Sequence, residues 1–394
     1  MTTPYHRPVS TQGLPFILIL SALMAFTSLS VDIYLPAMPM MSASLHGNTE
    51  LTITGFLIGF CLAQLVWGPI SDRYGRRLPL IIGMTLFVVG SIGCALSHTI
   101  TQIVFWRVFQ ALGACTGPML ARAMIRDLFS RSRAAQMLST LIVVMAIAPI
   151  AGPIIGGQMI LFTSWHMIFW LLAMIGLAML GALYWLPETL PTERRVQTSL
   201  LQVFRNYRDL LGHRQFMQFT LSLTFYYVAA YTFITASPFV YINYFHVSPQ
   251  HFGYFFAVNI LGVMGMSIIN RRLVHRFALE RLLKLAVSLS ACAMVLLAVT
   301  TYLSVGGLGL MMGLIFIFFA MNGVIASVTT AAALDTVPQV TGAASALIGS
   351  LQYGSGILSS ALLTVFNSGT PLTMALLMAG FTLASFMMSY FAKE

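Results

Sequence analysis

Charge is what this sequence has least of. Its 394 residues include 20 Lys and Arg and 10 Asp and Glu, 8% in all, against roughly 25% in a soluble domain. With 58% of residues hydrophobic, the chain cannot cover its own surface with polar groups, so lipid must be the solvent for most of it. Lysine is almost missing: Lys284 and Lys393 are the only two, and neither follows a Gly-x-x-x-x-Gly phosphate loop, which excludes an ATP-driven pump. The four cysteines, Cys61, Cys94, Cys115 and Cys292, each lie inside an apolar run without paired spacing. Neither a disulfide framework nor a thiolate metal site is expected. The eight histidines show no metal-ligand spacing either, so no metal or other cofactor is expected. No long polar stretch forms a soluble domain, and no loop holds a nucleophile, a base and an acid together. The net charge of +10 could suggest nucleic acid. The arginines, however, are dispersed between apolar runs, which is a topological pattern, and no nucleic-acid partner is expected.

Long apolar runs fill the space. Twelve can be counted, at 14–38, 51–70, 78–97, 101–125, 134–162, 165–186, 216–243, 251–270, 279–303, 306–332, 340–366 and 371–392. A helix needs about 20 residues to cross a hydrocarbon core of ~30 Å. The first run could pass for a secretory signal, but its uncharged stretch is longer than a signal's and eleven runs follow; it is expected to be a span. With both termini in the cytoplasm, 19 of the 20 Lys and Arg fall in cytoplasmic loops or helix ends, as the positive-inside rule requires. The twentieth is Arg107. The expected fold is an all-α membrane protein of twelve transmembrane helices in two pseudo-repeated six-helix halves, 1–190 and 215–394. Between them, 191–214 is a cytoplasmic linker in which Leu200, Val203, Phe204, Tyr207, Leu210 and Leu211 share one face of a short interfacial helix.

Polar residues inside apolar runs carry the candidate chemistry. Asp32 lies near the outer end of the first run, where an ionised carboxylate costs ~2.5–3.5 kcal/mol on insertion scales if it is within the hydrocarbon. Pro36 and Pro39 weaken the helix just beyond it, which is tolerable where a helix lines a cavity. Asp32 is therefore the first candidate for a coupling-proton site. Arg107 is not expected to deprotonate, so it must pair with an acid, carbonyls or water. Tyr34, Gln110, Tyr227, Tyr231, Asn259, Asn322 and Gln352 are candidates for a substrate cavity, with interhelical hydrogen bonds the alternative for any one of them. An aromatic cavity with little charge suits small amphipathic molecules better than sugars. In the fifth run, Gly152, Pro153, Gly156 and Gly157 make a bend and a small-residue face, expected to touch a neighbour in the other half. Between the second and third runs, Gly68, Asp72, Arg73, Gly75, Arg76 and Arg77 form a tight charged loop, a candidate cytoplasmic gate. Its Asp72 is expected to face the positive N-terminus of the eleventh helix.

These stretches are similar to a known family. The loop pattern Gly-x-x-x-Asp-Arg-x-Gly-Arg-Arg resembles the loop motif of the major facilitator superfamily. Arg107 to Gly113 resembles its Arg-x-x-Gln-Gly-x-Gly motif, with Ala111 at the first glycine. Gly152-Pro153-x-x-Gly156-Gly157 resembles the motif of its antiporters, and Asp32-x-Tyr34-Leu35-Pro36 and Pro187-Glu188-Thr189 fit the same order. Ser237 to Ile242 and Phe252 to Asn259 look most like the bicyclomycin/chloramphenicol-resistance group of twelve-helix drug:proton antiporters. The resemblance implies a monomeric protein of the bacterial inner membrane, not an enzyme, that exports small amphipathic compounds in exchange for protons, with a proton gradient in place of a cofactor. It assigns Arg107 a part in proton transfer, acting on the carboxylate. Transport of a natural metabolite such as a nucleoside is the alternative; a non-transporting membrane receptor or enzyme is a further one.

Overall fold

The computed structural model of the chain describes residues 14–195, 200–366 and 369–391. Arg7, Lys393 and linker positions 196–199, which entered the topological reading, lie outside them. Lipid offers a backbone no hydrogen-bond partner, so a chain this apolar satisfies its amides within helices. Among the described residues twelve helices are long and apolar enough to cross a membrane. The first six are α1 (Pro15–Leu45), α2 (Glu50–Tyr74), α3 (Arg77–Ala95), α4 (Ile100–Leu128), α5 (Met145–Phe162) and α6 (His166–Trp185). The second six are α7 (Arg214–Tyr244), α8 (Pro249–Leu273), α9 (Leu279–Tyr302), α10 (Gly307–Asp335), α11 (Pro338–Val365) and α12 (Pro371–Tyr390). The arginines gather at one end of this bundle, while the connections at the opposite end hold no Lys or Arg. These are the arginine-rich and arginine-free ends.

Packing repeats with a shift of six helices. α1 lies on α4 and α5 as α7 lies on α10 and α11; α2 lies on α4 as α8 lies on α10. Likewise α3 packs on α4 and α6, and α9 on α10 and α12. The two six-helix bundles meet where α2 packs on α11 and α5 on α8, a pair of seams that the same shift exchanges. Glycines bring the seams close. A Cβ on Gly349 would press on the Gln64 amide, and one on Gly253 would lie 2.6 Å from the backbone nitrogen of Ile154. Toward the arginine-free end the α2–α11 seam is hydrogen-bonded. Asn48 Nδ2 donates to Thr364 Oγ1 (3.1 Å), Thr54 Oγ1 to Ser360 Oγ (2.5 Å), and Ser360 Oγ to the Glu50 carbonyl (3.2 Å). At the arginine-rich start of α11, a Cβ on Gly342 would meet nothing within 4 Å.

Three irregularities shape the interior. The regular helix of α1 ends at Asp32 and resumes, after a short turn at Leu35–Ala37, as Met38–Leu45. Pro36 supplies no N–H there, so the break follows from the sequence. α7 passes through Pro238 into a wide π-helical turn at Phe239–Tyr244. The linker contains a helix, Leu200–Gly212, with Tyr207 and Leu210 buried and Phe204 and Leu211 exposed. The Tyr207 hydroxyl donates to the Leu65 carbonyl (3.0 Å). Burial pushes this phenol up to about 12, so it remains a donor through the neutral range.

Candidate functional site

The most constrained group in the first half is Arg107 on α4, which has no exposed surface. Its Nη1 donates to the Ser30 carbonyl (2.9 Å) and to Gln110 Oε1 (2.6 Å), and its Nε to the Thr52 carbonyl (3.4 Å). The guanidinium carbon lies 4.5 Å from the centre of the Tyr34 ring and 4.4 Å from that of Phe56. Cations favour such ring faces, the more so when desolvated. Tyr34 is fixed in turn by a 3.0 Å hydrogen bond between its hydroxyl and Thr52 Oγ1, and Gln110 Nε2 donates to Ser91 Oγ (2.8 Å). Of the three options for Arg107, carbonyls are the one seen, two from the backbone and one from the Gln110 amide. Tyr34 and Gln110 were expected in a substrate cavity, yet both are fully buried and build the cage around Arg107. Their polar atoms are spent on Thr52, Ser91 and the guanidinium. Nη2 of Arg107 is left without a partner.

Asp32 stands at the break in α1, two residues beyond the carbonyl that Arg107 holds. It is 6% exposed. Among the described residues it makes no ion pair, with Arg107 or any other base, and no hydrogen bond to its side chain is present. Gly152 and Gly156 of α5 pack directly on this break. A Cβ at Gly152 would lie 3.5 Å from Asp32 Cβ and 3.3 Å from Ile33 N, and one at Gly156 would overlap the Ile33 carbonyl oxygen. This corrects the expectation that the glycines of α5 face the other half. Only Gly157 does so, with the Pro249 carbonyl oxygen 2.7 Å from where its Cβ would be. The reason is geometric: residues four apart share a helix face, so 152 and 156 point one way and 157 is rotated off it.

In the second half, aromatic rings form a chain toward the first. Tyr227 and Tyr231 have ring centres 6.3 Å apart, Tyr231 and Tyr353 6.4 Å, and Tyr353 and Phe60 of α2 4.1 Å. Asp32 is near enough to interact electrostatically with both Tyr231 and Tyr353. Tyr227 meets Asn322 on α10, whose Oδ1 is buried without a partner. Gln352 is half-buried beside Tyr353, and its carbonyl accepts from Ser355 Oγ (2.6 Å). Asn259 is buried on α8, and no ring contact or hydrogen bond among the described residues joins it to this group. Three residues important to the arrangement went unnoticed in the sequence: Tyr353, Thr52 and Glu50. Tyr353 directly follows Gln352 in an apolar run, a signal that was available. Thr52 meets Tyr34 through its hydroxyl and Arg107 through its carbonyl, and the carbonyl contact is one that no side-chain pattern reveals.

The charged loop is fastened within its own half. Arg76 Nη1 contacts Asp72 (2.5 Å), and Arg76 Nε donates to Asp127 at the end of α4 (2.8 Å). The Glu188 carboxylate accepts from the backbone N–H groups of Arg76 (2.8 Å) and Arg77 (3.1 Å). A Cβ on Gly75 would meet that carboxylate and the Arg195 guanidinium, both ends of flexible side chains; its φ of +94° is what requires glycine. Asp72 was expected at the N-terminus of α11. Its side chain is half exposed and its partner is Arg76, because a guanidinium four residues away outcompetes a distant dipole. Gly68 packs on Met119 of α4 and Arg73 lies 5.5 Å from the Tyr74 ring centre.

Comparison with known proteins agrees with this architecture. The model of the Major Facilitator Superfamily matches residues 20–360. The uncharacterized MFS-type transporter YdgK of Bacillus subtilis is 34% identical over 95% of this chain and 94% of its own. The bicyclomycin resistance protein homolog of Haemophilus influenzae is 30% identical over 95% of each. A crystal structure of the nucleoside transporter NupG superposes with a TM-score of 0.78 over 97% of this chain and 100% of that one, at 12% identity, a likeness of fold.

Proposed function

This chain belongs to the major facilitator superfamily, and on that premise we propose that it is a proton-coupled transporter of small organic molecules, with Asp32 as the proton site. The observation that carries the reading is a buried carboxyl without a partner at a helix break, on a turn braced by Arg107. Broken helices at the midplane are where transporters of this build place their ligands. Arg107 holds the Ser30 carbonyl two residues before Asp32 and cannot itself carry the proton. Rings from Tyr231, Tyr353 and Phe60 with the amides of Asn322 and Gln352 offer stacking and neutral hydrogen bonds. That chemistry suits an uncharged molecule combining a ring with hydroxyl or amide groups, and a natural metabolite such as a nucleoside meets it. Export of amphipathic drugs is the second reading, favoured by the relative named for bicyclomycin resistance and by the Gly152–Gly157 antiporter pattern against α1. In either case the arginine-rich end is cytoplasmic, the loop around Asp72 biases the inner gate, and the protein acts as a monomer in the bacterial inner membrane.

Purified protein in liposomes, offered a panel of nucleosides and of bicyclomycin- and chloramphenicol-like drugs, tests this through substrate-driven proton release. Wild type should release protons with at least one compound and Asp32→Asn with none, because asparagine exchanges no proton. If Asp32→Asn still concentrates substrate on a pH gradient alone, Asp32 is not the proton site.

A further inference from the structure

Of the ten Asp and Glu in the sequence, Glu50 is the one at the first turn of α2, at the arginine-free end, and its carboxylate has no part in the site around Asp32. Its residue is 7% exposed, and its Oε2 is buried without a hydrogen-bond partner. An acid at a helix start is ordinarily explained by the dipole and by the free N–H groups there. Here those N–H groups do not reach the carboxylate; the backbone N–H of Glu50 itself donates to Asn48 Oδ1 (2.9 Å). Glu50 instead lines a cleft of ≈ 660 Å³ between the two halves, within the 300–1,000 Å³ range of small-molecule sites.

The cleft has a consistent chemistry. The first half contributes Ser42, Asn48 and Glu50, and the second contributes Phe239, Asn243 and Tyr244 from the π-helical turn of α7. Among the described residues no Lys or Arg lines it, and His46 is the other ionisable group besides Tyr244 on its wall. One carboxylate, two aromatic rings and neutral acceptors attract a cation and repel an anion. A bare metal ion is a poor occupant, since a single carboxylate falls short of the six to eight oxygens that calcium collects. The volume calls for an organic ion.

We propose that this cleft is a binding site for a small organic ammonium cation, held by Glu50 and by the rings of Phe239 and Tyr244. The site touches both halves beside the hydrogen bonds from Asn48 to Thr364 and from Thr54 to Ser360. A bound cation therefore braces the seam closed. The binding stands on the cleft alone; inhibition of transport from the arginine-free side rests additionally on the function proposed above.

The experiment is a calorimetric titration of the protein in lipid nanodiscs at pH 8, without any gradient, using benzyltrimethylammonium. This probe is permanently charged and cannot exchange a proton. Wild type and Asp32→Asn should bind it with equal affinity. Glu50→Gln should bind at least tenfold more weakly and Glu50→Asp within a few-fold of wild type. Tyr244→Leu, which leaves the carboxylate in place, should weaken binding about two- to fivefold, as loss of one exposed cation–π contact implies. Absence of wild-type binding, undiminished binding by Glu50→Gln, or loss of binding in Asp32→Asn would each overturn the proposal. The last would place the cation at Asp32. If Glu50→Gln fails to fold, judged by its melting temperature, Tyr244→Leu decides: unchanged affinity there also overturns it. Failure to find any transported substrate leaves the titration unaffected, so the two readings fail separately.

Discussion

Gly156 offers the most direct test of how α5 acts on the proton site proposed at Asp32. Its missing side chain is what lets α5 rest on the Ile33 carbonyl, one residue after Asp32. In Gly156→Ala the new methyl would occupy the carbonyl's place, and neither atom sits on a flexible side chain that could swing away. The helices must separate, and overpacking of this kind costs about 1–3 kcal/mol. The functional loss should be larger than the stability loss, because a displacement of about 1 Å at a reacting group can cost ~10²-fold in rate. The expected outcome is a modest fall in melting temperature with at least a tenfold fall in the rate of substrate-driven proton release. Gly181→Ala is the control, since a Cβ there meets nothing within 4 Å. It should match wild type in both measurements. A Gly156→Ala protein with wild-type stability and turnover would show that α1 and α5 do not need this contact, and the reasoning would fall.

Two further substitutions separate the cage from the seam. Arg107→Lys keeps the charge, but an ammonium cannot span Ser30, Gln110 and Thr52 as the planar guanidinium does. At least one buried acceptor is left unpaired at about 1–3 kcal/mol, so thermal unfolding should come earlier and proton-coupled transport should fall more than tenfold. Ser360→Ala removes the link from Thr54 to the Glu50 carbonyl and should loosen the α2–α11 seam by about 1 kcal/mol. Spin labels on α2 and α11 near the arginine-free end should then report a roughly fivefold larger population of the separated form; an unchanged distance distribution would count against the seam as a gate.

What the sequence made legible was set by solvent and by covalent constraint. The twelve spans follow from apolar runs of bilayer length, and the observed helices depart from them mainly at their ends, as α1 does in running on to Leu45. The break at Asp32 was readable because Pro36 removes a donor. The position of Arg107 was readable because it is the one base deep in a run. Its partners were not, since Ser30 and Thr52 contribute carbonyls and any residue has one. Tyr34 and Gln110 were misplaced for a related reason: a polar side chain in a span must be satisfied, and the sequence does not say whether by a neighbour or by a cavity. Glu50 went unnoticed because its burial comes from residues of the second half, far away in sequence.

The division of labour between charged and neutral bonds has its own logic. Asp72, Arg76, Asp127 and Glu188 tie the arginine-rich end of the first half to itself. Arg76 is buried, so removing the Asp127 that faces it costs up to about 3–5 kcal/mol, while half-exposed Asp72 adds little; such bonds suit a unit that moves as one body. Across the α2–α11 seam the bonds are between neutral groups: Asn48 with Thr364, Thr54 with Ser360, and Ser350 with the Cys61 carbonyl. Each contributes about 0.5–1.5 kcal/mol net, because water replaces it on opening. Three or four such bonds hold a seam closed by a few kcal/mol, an amount that one proton or one bound molecule can offset. Glu50 is set among them with a buried oxygen that accepts no hydrogen bond, and the cation proposed for its cleft would offset its charge.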